Sequence, residues 1–230
     1  MRSLVFDTGP VITLTLNNLM WILNPLKKQF GGSFYITESV RHELIEKPLD
    51  IKRFKFEALH TLHYIRAKDI QLHQDTGYKE KAKELLKLAN SIFRAHGRYI
   101  QILHIAEIEV IALAKQIKAS AIVVDERTTI EILEDPEVLK EHLKRKLHSK
   151  VSVNKANLGK FRKMTEGIDV IRSVDLAMVA YEMGLLDRYL PDNPYNKEML
   201  IDAVLWGLKL NGCAIGEDEI KSIIDYAEEL

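Results

Sequence analysis

Apolar positions along this chain alternate between short continuous runs and longer stripes of helical period. Residues 3–6 form the first run and read as a buried strand. Ile12, Leu16, Leu19, Met20 and Leu23 then recur as one face of a helix, and Pro25 with Gly31-Gly32 marks a loop. Phe34-Tyr35-Ile36 predicts a second strand. Thr37 is a good N-cap for the helix after it, with Glu38 in the first turn and Pro48 at the end. A second amphipathic piece follows around 52–59, and residues 61–73, with Leu62, Tyr64 and Ile65, fit either strand or loop. Over 76–96 the stripe Ala82, Leu85, Leu86, Ala89, Ile92 and Phe93 predicts one helix, stopped by Gly97. Residues 104–118 are apolar nearly all round, which predicts a buried helix. Ala121-Ile122-Val123-Val124 reads as a central parallel strand ending at Asp125.

Beyond Asp125 the chain is helical and charged to about 165. Ile168, Val170 and Ile171 suggest a last strand. Ser173 can cap a helix carrying Val174, Ala177, Met178 and Tyr181, with Gly184 at its end. Pro191 and Pro194 predict a loop, and two helices, about 197–210 and 217–228, close the chain. Strands alternating with helices imply an α/β domain with a mostly parallel sheet. Right-handed crossovers then place the ends of the first strand and of the 121–124 strand on one sheet edge. Asp7 and Asp125 therefore meet where open α/β sheets bind ligands.

Composition adds boundaries to this picture. At 230 residues, 47% hydrophobic and 29% charged, the chain is globular. Lys+Arg and Asp+Glu are both 33, so any polyanion-binding surface must be local. The single cysteine, Cys213, forms no internal disulfide, which fits a reducing compartment. Asp7, Gly9-Pro10 and Asn17-Asn18 interrupt the apolar N-terminus against a signal peptide, and no run is long enough to span a bilayer. The expectation is a cytoplasmic protein without membrane contact.

Four carboxylates carry the candidate chemistry. Asp7 and Asp125 end strands; Glu43 lies in the helix after Thr37; Glu107 lies on the buried helix, in line with Ile111 and Ala114. A carboxylate among apolar side chains needs a partner or shifts its pKa. Hard oxygen ligands suit Mg²⁺ or Mn²⁺, which activate water and stabilise the oxygens of a phosphodiester displacement. Each acid also has a plainer reading: a strand-end aspartate caps a helix, Glu43 is a solvated helix residue beside Glu38 and Glu46, and Glu107 is a first-turn residue favoured by the helix dipole. Glu109 is close enough to exchange roles with Glu107.

The segments Ile-Thr-Glu-Ser-Val-Arg-His-Glu-Leu at 36–44, Ala-Glu-Ile-Glu-Val-Ile-Ala-Leu-Ala at 106–114 and Ile-Val-Val-Asp-Glu-Arg at 122–127, following Asp7, together resemble the PIN-domain family. Residues 170–186 resemble the closing strand and helix of one PIN subgroup. The resemblance covers most of 1–190. It implies a three-layer α/β/α nuclease domain over 1–190, a helical insert at about 134–166, and a helical extension over 191–230 packed on the same domain or on a dimer partner. It further implies a metal-dependent endoribonuclease using Mg²⁺ or Mn²⁺ held by Asp7, Glu107, Asp125 and Glu43, with Glu109 as the alternative to Glu107. Thr8 matches the small hydroxyl residue that commonly follows the first acid, and Thr8, Arg127 and Ser173 stand at the expected periphery; Ser173 also reads as a plain cap.

The insert departs from that subgroup. Residues 140–163 hold nine cations, Lys140, Lys144, Arg145, Lys146, Lys150, Lys155, Lys160, Arg162 and Lys163, against one acid, Glu141. Such a patch binds phosphate backbones through counterion release, which fits nucleic-acid contact; the family resemblance implies RNA, expected to be single-stranded, as the partner. A solvated basic helical insert is the plainer account. Phe161 is the insert's only aromatic available for base stacking, so base readout by the insert is not expected. The competing functions are a non-catalytic PIN-fold module binding RNA or protein, and the toxin of a toxin–antitoxin pair with an antitoxin-like protein partner.

Overall fold

The structure, a computed structural model, describes residues 2–190 and 197–228. Its strands are β1 (Ser3–Phe6), β2 (Ser33–Ile36), β3 (Gln71–Leu72), β4 (Phe93–Ala95), β5 (Arg98–Tyr99), β6 (Ala121–Val123), β7 (Ser152–Val153) and β8 (Val170–Ile171). Five of them form a parallel sheet in the order β3-β2-β1-β6-β8. Val5, Phe6, Ile122 and Val123 are fully buried, as their continuous apolar runs require of central parallel strands.

The strand order contains the feature that positions the site. From β1 the chain steps outward to β2 and β3; from β6 it steps the opposite way to β8. Right-handed crossovers put the connecting helices on opposite faces for the two directions, giving three layers. The crevice between β1 and β6 is thus a topological switch point. The pairing of Phe6 with Val123, and of Val123 with Ile171, brings Asp7, Asp125 and Ser173 to one edge. The amide of Asp7 donates to the Val123 carbonyl at 2.9 Å.

Several segments differ from the sequence expectation. The helix expected over 76–96 spans only Tyr78–Ala89. Asn90 stops it: its side-chain oxygen accepts from the amides of Ile102 and Leu103 at 2.8 and 3.0 Å, tying the chain to a later segment. Ile92 and Phe93 remain fully buried, but through the hairpin β4–β5 rather than through a helical stripe. His96 and Gly97 both take positive φ, 49° and 78°, as a tight two-residue hairpin turn demands. Residues 61–73 continue the helix Lys55–Arg66 and then add β3 to the sheet edge.

The basic insert is not purely helical. Between the helices Pro136–Leu147 and Lys155–Thr165 it contributes β7, which pairs antiparallel with β4 and completes a second, three-stranded sheet. Its second helix packs on the helix Tyr78–Ala89, so the insert is stitched into the domain. The loop expected around Pro191 and Pro194 lies outside the described residues. Beyond it, the helix Lys197–Leu210 buries Ile201, Leu205 and Leu208 against the core. It is tied to the first helix by hydrogen bonds from Asn17 to the Gly207 carbonyl and from Asn211 to Asn17. The helix Glu217–Glu228 packs on it in turn. No helix among the described residues is long and apolar enough to cross a membrane.

Candidate active site

Asp7 is 4% exposed and stands at the N-cap position of the helix Thr8–Leu16, yet its side chain closes no capping hydrogen bond. One carboxylate oxygen, Oδ1, is buried with no hydrogen-bond partner. Burial is the main cause of a pKa raised to about 7; Glu107 and Glu43 push it the same way, and the amides of Thr8 and Gly9 oppose them.

Glu107 lies in the first turn of the helix Ile105–Ile117 and forms a capping box with His104, whose amide donates to Oε2 at 3.0 Å. Burial raises its pKa too, with Glu43 adding to the shift. Glu43 sits in a π-helical turn, His42–Glu46, inserted in the helix that starts at Glu38; such turns are frequent at functional sites. Thr37 caps that helix as expected, accepting from the Val40 amide. The hydroxyl of Thr8 donates to Glu43 Oε2 at 2.7 Å, fixing the glutamate beside the strand end.

Asp125 is 1% exposed and is not the cap of the helix Arg127–Glu134: Glu126 caps it, its side chain accepting from the Thr129 amide. Both Asp125 oxygens face Ser173, which donates its amide at 2.8 Å and its hydroxyl at 2.7 Å. Ser173 is therefore not a plain N-cap. Arg172 holds that position, and the serine inside it reaches the neighbouring strand end. The amide of Ala214 donates to the Asp125 carbonyl at 3.0 Å, so the C-terminal extension touches the site. Burial, then Asp125, pushes the thiol of Cys213 up to about 12, which makes it an inert packing group.

Glu109 does not join this group. It is buried but accepts from the Ser39 amide at 3.2 Å, pinning the start of the helix that carries Glu43. Gly9, which the sequence marks only as a break in the apolar N-terminus, lies between the two aspartates. A Cβ there would stand 3.5 Å from Asp125 Cβ and 3.8 Å from Asp7 Oδ2. Its signal was the Asp-Thr-Gly order itself.

A hard divalent cation suits three of these features: donors that are all carboxylate oxygens, an unpartnered buried Asp7 oxygen, and a glycine between the aspartates that brings no side chain between them. Among the described residues no three His, Cys, Asp or Glu already converge as a ligand group. Glu43 is turned to Thr8 and Asp125 to Ser173, so a cation would draw them from present partners.

A family model described as a PIN domain matches residues 3–138, over half of the chain. The chain belongs to the PIN-domain family. A PIN domain is a nuclease fold that generally depends on divalent metal. No curated protein and no solved structure matches the chain. The PIN match holds Asp7, Glu43, Glu107 and Asp125, and ends inside the helix Pro136–Leu147; most of the basic insert, β8 and the C-terminal helices lie beyond it.

The basic side chains of the insert, Lys144, Arg145, Lys146, Lys150, Lys155, Lys160, Arg162 and Lys163, are exposed, and Lys144 is paired with Glu141. They do not share one hollow. Arg145 and Lys146 line one with Arg127, two residues past Asp125; Lys160 and Lys163 line another with Glu84 and Lys87. Phe161 is fully buried and unavailable to stack on a base, because it anchors its helix to the core.

Proposed function

We propose that the chain is a PIN-type endoribonuclease that hydrolyses single-stranded RNA with Mg²⁺ or Mn²⁺ held at the β1/β6 edge. The observation that carries this reading is the buried, unpartnered Oδ1 of Asp7 beside Glu107 and Glu43. An uncompensated buried carboxylate is costly, and a cation is the partner that its acidic neighbours leave room for. Asp7, Glu107 and Asp125 would be the ligands, with Glu43 holding the ion or its waters. The bound ion supplies an activated water at neutral pH and charge neutralisation on the phosphate. Thr8 orients Glu43, and Ser173 holds Asp125. Arg127, exposed at the start of its helix and close to Arg145 and Lys146, offers a guanidinium to the RNA backbone. Products would carry 5′-phosphate and 3′-hydroxyl ends. Asp7→Asn should abolish Mn²⁺- or Mg²⁺-dependent cleavage of a single-stranded RNA; full activity in that purified variant would overturn the reading.

A second reading has its own support. Glu43 and Asp125 already satisfy Thr8 and Ser173, as they would in a PIN-fold module that binds RNA without cutting it. That module would bind RNA equally well with and without EDTA, and cleave none.

A further inference from the structure

A groove of about 390 Å³ opens beside the acidic edge, with Thr8 and Glu43 among its lining residues. Its walls are mainly apolar and open to solvent, with Ile12 39% exposed, Leu16 37% and Ile51 48%; Glu43, Lys47 and Glu57 are its charged lining residues. At its rim the chain reads Lys52-Arg53-Phe54-Lys55-Phe56, cations interleaved with aromatics, and every one of these side chains is exposed. Phe56 is 78% exposed, an arrangement the fold itself gains nothing from.

Phe54 lines the groove with a φ of 64°, a left-handed conformation that costs a non-glycine residue about 1 kcal/mol or more. That backbone sets the ring at the rim, where the Arg53 guanidinium lies 4.5 Å from its centroid. Lys47 lines the groove too, and Lys47, Lys52 and Lys55 form no ion pair among the described residues.

We propose that this groove is a nucleobase subsite for single-stranded RNA: a base enters against Phe54 and the apolar walls, and its flanking phosphates lie on Lys47, Lys52, Arg53 and Lys55. The juxtaposition of exposed aromatic rings, unpaired cations and an apolar slot selects this ligand. Single-stranded nucleic acids are bound by stacking platforms on a cationic track, since every base has a π-face and every linker a charge. A purely apolar protein partner would use the walls and leave Lys47, Lys52 and Lys55 without an anionic partner. Thr8 and Glu43 line the groove, so a base seated there would bring its own phosphate toward the carboxylates. The proposal rests on the nuclease reading only for what becomes of that phosphate; binding itself needs no metal.

The test is fluorescence anisotropy of the full chain with a labelled single-stranded RNA dodecamer of mixed sequence, in EDTA. Wild-type affinity should fall steeply with salt. Phe54→Ala should weaken binding about tenfold or more, Phe54→Trp should retain it, and Lys52→Ala/Arg53→Ala/Lys55→Ala should lower both affinity and salt slope. Wild-type binding by both Phe54→Ala and the triple variant would overturn the proposal. So would a Phe54→Glu variant that turns a wild-type dimer into a monomer in light scattering while binding RNA unchanged, since the groove would then be a protein interface. Because no cleavage is read, failure here leaves the metal site standing, and failure of the Asp7 cleavage test leaves this subsite standing.

Discussion

Asp7 and Asp125 end neighbouring parallel strands, follow the same kind of apolar run, and flank the same glycine, yet they live under opposite conditions. Asp125 receives an amide and a hydroxyl from Ser173. Asp7 is buried beside two other carboxylates, keeps one oxygen without a partner, and has its pKa raised to about 7. A strand-end aspartate is thus not one device but two. One anchors the site to the next strand; the other keeps a buried oxygen that a cation or a proton would satisfy.

The largest effect should come from making Asp7 neutral. Below about 3.8 its carboxyl is protonated in both folded and unfolded chains and costs nothing; between 3.8 and about 7 only the unfolded chain ionises, so stability falls as pH rises; above about 7 the penalty is complete. From the shift between those two values the penalty is on the order of 4 kcal/mol. Asp7→Asn should therefore raise the melting temperature at pH 8 without metal and leave it unchanged at pH 3, while losing nuclease activity. Equal melting temperatures at pH 8 would show that Asp7 carries no such burden.

The same substitution at Asp125 should do the opposite. Asparagine offers one oxygen to two Ser173 donors and turns an amide against the other, a loss of about 2 kcal/mol. Urea denaturation at pH 8 should then separate the variants by sign, Asp7→Asn stabilised and Asp125→Asn destabilised. Matching signs would erase the distinction between the two acids. Ser173→Ala, which removes only the hydroxyl donor, should cost about 1–2 kcal/mol in the same assay.

Gly9→Ala should have the smallest effect on stability and a telling one on binding. The new Cβ makes ordinary contacts, and alanine in a helix gains about 0.5–1 kcal/mol over glycine. It also fills the space between the aspartates, so the metal-free protein should be slightly more stable while Mn²⁺ affinity falls. An unchanged Mn²⁺ affinity would place the ion elsewhere.

Where the apolar period was unambiguous, the sequence was a good guide to the structure. The runs at 3–6 and 121–124 are central strands, and their ends do meet, because parallel pairing and crossover handedness leave little choice. The sheet edge at Asp7 followed from that. What pattern alone missed were long-range side-chain bonds. Asn90 breaks a helical stripe by capping amides twelve and thirteen residues on, and Ile92 and Phe93 are buried whether the segment is helix or hairpin. Glu109 and Glu107 differ by two residues, and only the structure shows that Glu109 ties to the Ser39 amide, while Glu107 caps its own helix and faces Asp7 and Glu43. Ser173 has the sequence of a cap, but pairing of β8 with β6 aims it at Asp125. Charge density drew attention to residues 140–163; the interleaved pattern at 52–56 was equally visible, and only exposure and the adjoining groove give it meaning.

The central claim is that Asp7 keeps its charge for a divalent cation. Thermal unfolding of wild type and Asp7→Asn at pH 8, with Mn²⁺ increased from zero to millimolar, tests it most directly, because a ligand of the folded state raises the melting temperature by mass action. Wild type should show a saturable rise and Asp7→Asn none. An equal rise in both, or no rise in wild type, would contradict it.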